Sequence, residues 1–140
     1  MWILFAFLSA FFAALVAIFG KLGLQNLDST LATTIRSIIM AAFLVIISLF
    51  LGKFADFSFE SLGAKEWILI FLAGIAGALS WLFYFYALKN GDATAVVAID
   101  KLSIVLVVVL ALIFLGEGLT WKLGLGAVLM TIGALLISLK

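Results

Sequence analysis

The chain alternates long apolar runs with short polar breaks. The runs lie at about residues 2–20, 30–51, 66–88, 94–115 and 121–139. Each is about 20 residues long and none alternates with a period of two, so each predicts a membrane-spanning helix rather than a barrel strand. The breaks carry the residues that end helices and turn chains. At and after the end of the first run, Gly20 and Gly23 are expected to stop the first helix, and in KLGLQNLDS (21–29) and just after it Asp28, Ser29 or Thr30 can cap the second. KNGD (89–92) reads as a tight turn, and GEGLT (116–120) interrupts the chain again. The longest break, 52–65, alternates Phe54, Phe57 and Phe59 with Asp56, Ser58 and Glu60. That is the pattern of a segment lying at the membrane surface with its aromatic side down.

Inside the runs, small residues recur at helical spacing. The first helix lines up Ala6, Ala10, Ala13, Ala14 and Ala17, and its only polar side chain is Ser9. The third pairs Ala73 with Gly77 and Gly74 with Ala78, and the last carries Gly124, Gly126, Gly133 and Ala134. Packing, not hydrophobicity, drives helix association in lipid, so such faces predict close crossings, with the last helix a candidate dimer surface.

A few polar side chains break the apolar pattern, and they are the candidate chemistry. Asp100 and Lys101 sit side by side about two turns into the fourth run, where a charge costs about 2.5–3.5 kcal/mol at mid-membrane. The apolar residues from Ile104 to Leu115 offset that cost, so the helix still inserts. Charges at such depth face a bundle interior or a watery cavity and mark a functional site by default. Ser103 falls on the face of Asp100, whereas Lys101 points about 100° away. Arg36 lies about 10 Å into the second helix and shares a face with Ser29, Thr33 and Met40. It reads either as a side chain reaching back to the headgroups, or as an anchor for an anionic group or for Asp100. The aromatic stretch Trp81, Phe83, Tyr84, Phe85, Tyr86 reads either as a surface belt, or as a cavity wall in which Trp81 and Tyr84 stack on a solute. Glu117 reads as a structural residue near the N-terminus of the last helix, where the dipole favours negative charge.

Composition narrows the rest. The 140 residues are 68% hydrophobic and 11% charged, with net charge +1. Soluble domains carry about 25% charged residues, so lipid must be the solvent and membrane lipid a partner. No basic run exists, which argues against nucleic acid and against a polybasic headgroup anchor. With no Cys and no His, disulfide, haem, zinc and thiol chemistry are excluded, and no cofactor or metal is expected. Trp2–Phe19 is longer than a signal-peptide core and lacks a basic leader, so it reads as a retained helix.

The lysines leave orientation undecided. The N-terminus with the second and fourth breaks carries Lys53, Lys65 and Lys122, while the first and third breaks with the C-terminus carry Lys21, Lys89 and Lys140. Orientation follows Lys and Arg in short loops, and only the intramembrane Arg36 and Lys101 break this tie. Insertion in both directions would give a ten-helix antiparallel homodimer, the dual-topology counterpart of an inverted repeat.

Three stretches together resemble a known family: KLGLQNLDSTLATTIRS (21–37), WLFYFYALKNGDATAVVAIDKLS (81–103) and LALIFLGEGLTWKLGLGAVLMTIGALLIS (110–138). The whole chain resembles the EamA domain of the drug/metabolite transporter superfamily, in its short five-helix form. The resemblance implies one all-α membrane domain over residues 1–140, equal to half of a ten-helix inverted-repeat transporter in the cell membrane. It implies export or exchange of small metabolites through a central cavity. The family's helix-2 arginine maps onto Arg36 and its glutamate motif onto Glu117. Cavity contributions from its third and fourth helices make Trp81, Tyr84, Asp100, Lys101 and Ser103 the candidates. One departure stands out: Ser103-Ile104 occupies a place where Ser-Pro is common, and the chain has no proline. Any bend there must come from Gly, Ser or packing.

Two functions remain in competition. One is a non-enzymatic carrier of a small polar or amphipathic solute, working by alternating access. The other is a non-transporting membrane subunit whose charges specify register in an oligomer. An intramembrane enzyme is disfavoured, because nucleophile and base are lacking and Asp100 and Glu117 stand about 25 Å apart along one helix.

Overall fold

The computed structural model describes residues 1–55, 57–58, 62–116 and 118–139. Five helical stretches are long and apolar enough to cross a membrane, and no strand occurs among the described residues. They are α1 (Trp2–Gly23), α2 (Ser29–Phe50), α3 (Ala64–Asn90), a broken fourth span over Ala93–Leu115, and a last helix, Trp121–Ser138. The fourth span comprises α4 (Ala93–Asp100), α5 (Ser103–Leu110) and a π-helical turn (Ala111–Leu115), so the last helix is α6.

Helix ends follow local chemistry. α1 runs through Gly20 to Gly23, because an unpaired peptide group is expensive in lipid and glycine alone does not end a helix there. Of the possible caps for α2, Asp28 is the one used: its carboxylate accepts from the N–H groups of Thr30 and Leu31 at 2.9 and 3.0 Å. Hydroxyls along α2 donate to carbonyls one turn back, Thr33 to Ser29, Thr34 to Thr30 and Ser37 to Thr33. This satisfies them without a second helix. Thr120 caps α6 by accepting from the Leu123 N–H. The π turn closes on Gly116, whose φ of 66° suits glycine and whose N–H donates to the Ala111 carbonyl.

The chain divides into two compact units. One comprises Met1–Leu22 and Asn90–Lys140, the other Gly23–Lys89. In the first unit α4 and α5 pack on α6, and the single buried residue of each of α1, α4 and α6 is an alanine: Ala17, Ala98 and Ala134. Lys21 Nζ donates to the Gly91 carbonyl at 2.9 Å, tying the end of α1 to the turn before α4. In the second unit Leu24, Ser29, Thr33, Phe85 and Leu88 are buried, and Lys89 Nζ donates to the Leu27 carbonyl at 2.8 Å. Elsewhere the helices are bare: only 6% of the apolar window of each span is buried. The Phe54 and Phe57 rings of the expected interfacial segment meet edge to face at 6.3 Å, while Asp56, Phe59 and Glu60 lie outside the described residues.

Candidate functional site

In the second unit, the face of α2 that starts at Ser29 and Thr33 presents Arg36 to α3. The Arg36 guanidinium lies 3.8 Å from the centre of the Trp81 ring and 5.3 Å from that of Phe85. Trp81, Tyr84 and Phe85 brace one another, with ring centres 5.5 to 5.9 Å apart. The stack has a helical origin. Trp81, Tyr84, Phe85 and Leu88 follow i, i+3, i+4, i+7 and turn inward, whereas Phe83 and Tyr86 are 71% and 66% exposed. The aromatic stretch therefore divides into an inward cluster and an exposed face. Arg36 is turned onto the rings, and its Nη1 is buried without a hydrogen-bond partner. Cation–π attraction, worth about 0.5–2 kcal/mol, is what holds this charge. The face continues poorly to Met40, which is 40% exposed.

In the first unit, the fourth span breaks at its charged pair. The Leu102 N–H donates to Ile99, Ile104 to Lys101 and Val105 to Leu102, each three residues back. Lys101 and Leu102 have ψ of −10° and −17°, so the chain tightens into a 3₁₀ turn between α4 and α5. The break needs neither proline nor glycine. It falls immediately before Ser103-Ile104, the place where the resemblance implies a Ser-Pro pair. The long Lys101 stem brings its Nζ to 3.4 Å from Asp100 Oδ2. Beside the break opens a groove of about 500 Å³ lined by Asp100 and Ser103, by Thr131 of α6 and by apolar neighbours. Ser103 also borders a smaller apolar groove of about 300 Å³ that runs along α5 and the π turn.

The structure thus gathers the candidates into two groups, Arg36 with Trp81 and Tyr84, and Asp100 with Lys101 and Ser103. Sequence reasoning missed two participants. Phe85 was detectable from its spacing to Trp81, Tyr84 and Leu88. Thr131 had no such signal, because a lone hydroxyl in an apolar helix gives no hint of which groove it borders. Glu117 lies outside the described residues. At Gly74, Gly77, Gly124, Gly126 and Gly133 an added Cβ would meet nothing within 4 Å among the described residues. No cluster of three or more potential metal-ligating His, Cys, Asp or Glu exists among the described residues.

Residues 1–139 match the EamA-like transporter family. A Sinorhizobium protein named "Uncharacterized transporter in cobO 3'region" is 40% identical over 137 residues, spanning 98% of this chain and 96% of that protein. No solved structure matches the chain.

Proposed function

The chain belongs to the EamA-like transporter family and is a multi-pass membrane transporter, and from that premise we propose how it works. Residues 1–140 act as one EamA-like domain. Two copies, inserted in opposite directions in the cell membrane, form a ten-helix carrier. The carrier exports or exchanges a small polar or amphipathic solute by alternating access. One observation carries this reading: Asp100 and Ser103 line a groove at a break in a membrane span. Irregular backbone at membrane depth is tolerated where it lines a cavity, and discontinuous helices are where transporters place their solutes. Lys101 beside Asp100 contributes to that site, and Arg36 with Trp81 and Tyr84 is a second candidate solute-binding cluster within its own unit. The open small surfaces at Gly74, Gly77, Gly124, Gly126 and Gly133 serve contacts with the second copy.

The test uses the absence of native cysteine. Single cysteines at Ala98 to Ser103 are exposed to a water-soluble thiol reagent in native membranes. A water-filled path predicts labelling at Asp100→Cys or Ser103→Cys and little at Ala98→Cys, which is buried. Silence at every position would instead identify a non-transporting subunit.

A further inference from the structure

We propose that Arg36, seated on Trp81 and Phe85, binds the carboxylate of a small organic monoanion. This rests on the transport reading and adds the chemical class of the solute. The rings leave the guanidinium unfinished. It carries five N–H donors in a fixed fork and has no acceptor of its own. Trp81 at 3.8 Å and Phe85 at 5.3 Å attract its charge, but an aromatic face offers those donors no oxygen. Among the described residues Arg36 makes no hydrogen bond and no ion pair. Its Nη1 is sealed off without a partner, while the residue as a whole is only part-buried, so a ligand can reach the rest of the fork. A buried donor left unmatched calls for an acceptor, and a carboxylate meets a guanidinium with two parallel hydrogen bonds. One cation stands among three rings, Trp81, Tyr84 and Phe85, so the cluster matches a single negative charge on an apolar body.

A lipid phosphate offers the same oxyanion chemistry, but the burial along α2 favours a solute. Arg36 lies about 10 Å into the helix, and the face between it and the helix start is covered: Ser29 and Thr33 are each 5% exposed. Lys89 Nζ ties the same end of the unit by donating to the Leu27 carbonyl. A guanidinium reaching back to the nearest headgroups would have to cross that cover. Past Arg36 the face opens again at Met40, which is 40% exposed. The cluster is thus closed on its headgroup side and open toward mid-span, where lipid presents only its chains.

The experiment is equilibrium dialysis of phenylacetate against the full chain in phosphatidylcholine nanodiscs, with empty nanodiscs as the baseline. Phenylacetamide and phenethylammonium serve as the neutral and cationic comparisons. The wild type should bind phenylacetate and neither comparison. Arg36→Gln should weaken binding about tenfold or more, the effect of losing one charge-assisted contact. Arg36→Lys keeps the charge without the fork and should recover only part of it. Lys53→Gln removes a cation from the second loop and should change nothing. Far-UV circular dichroism confirms that each variant is folded. A chain with Trp81 as its one tryptophan, made by Trp2→Phe, Trp67→Phe and Trp121→Phe, locates the ligand: phenylacetate should shift its emission by drawing on the charge that the ring holds. Native mass spectrometry should find added phosphatidylglycerol retained equally by wild type and Arg36→Gln. Equal binding of the amide, no response to Arg36→Gln, Trp81 emission unmoved by bound phenylacetate, or phosphatidylglycerol lost with Arg36→Gln would overturn the proposal. The assay needs no flux. Phenylacetate binding without flux of any solute would keep this site and remove the transport reading. Flux of other solutes without phenylacetate binding would do the reverse.

Discussion

At the scale of single residues, the tightest arrangement is a cation held by rings. Arg36 has a buried Nη1 without a partner, which is costly for a charged donor, and its compensation is the Trp81 face at 3.8 Å. The two residues should therefore be energetically coupled. In a double-mutant cycle of Arg36→Met and Trp81→Leu, read from unfolding in SDS by circular dichroism, we expect a coupling of about 0.5–2 kcal/mol. Additive losses would mean that the stack contributes nothing. The sequence alone exposed Arg36 by its depth and Trp81 by its place in an aromatic stretch. It did not pair them, because a guanidinium reaching for headgroups and one folded onto a ring share the same letters. Which of the two occurs depends on how α2 packs on α3.

At the scale of elements, four of the five spans were legible as continuous helices, since an apolar run in lipid has no alternative to internal hydrogen bonding. The fourth was legible as a span but not as three pieces. Its charged pair announced a site, yet the 3₁₀ turn at Lys101 and Leu102 has no glycine or proline to signal it. The π turn over Ala111–Leu115 is likewise written in ordinary aliphatic residues, and only Gly116 marks its end. Gly116 offers a test of that ending. With φ at 66°, a side chain there forces a left-handed backbone, and Gly116→Ala should destabilise by about 1–2 kcal/mol. Gly118→Ala, where a Cβ meets open space, is the matched comparison and should be near neutral in the same SDS titration. Equal effects at the two sites would show that the span does not end as described.

At the scale of the whole molecule, the burial and the charge pattern lead to one question, which way the chain faces. Spans that bury 6% of their apolar windows need lipid or another chain around them. The loop lysines, three on each side, do not choose a direction. If both orientations occur and both are needed, a small excess of charge should separate them. Ser58→Lys with Leu119→Lys adds two positive charges to the second and fourth loops, and should drive those loops to the cytoplasm. Gln25→Lys with Asn26→Lys loads the first loop and should drive the opposite orientation. A cysteine added after Lys140 reports the result, since the chain has none of its own. The unmodified chain should label from outside to about half of the total reached after lysis, Ser58→Lys with Leu119→Lys should approach full labelling, and Gln25→Lys with Asn26→Lys should approach none. Each variant alone should lose transport, because two copies of one orientation cannot form the antiparallel pair. Expressing the two variants together should restore it. Full activity from either variant alone would reject the antiparallel carrier, leaving a parallel assembly or a different partner chain to complete the pathway.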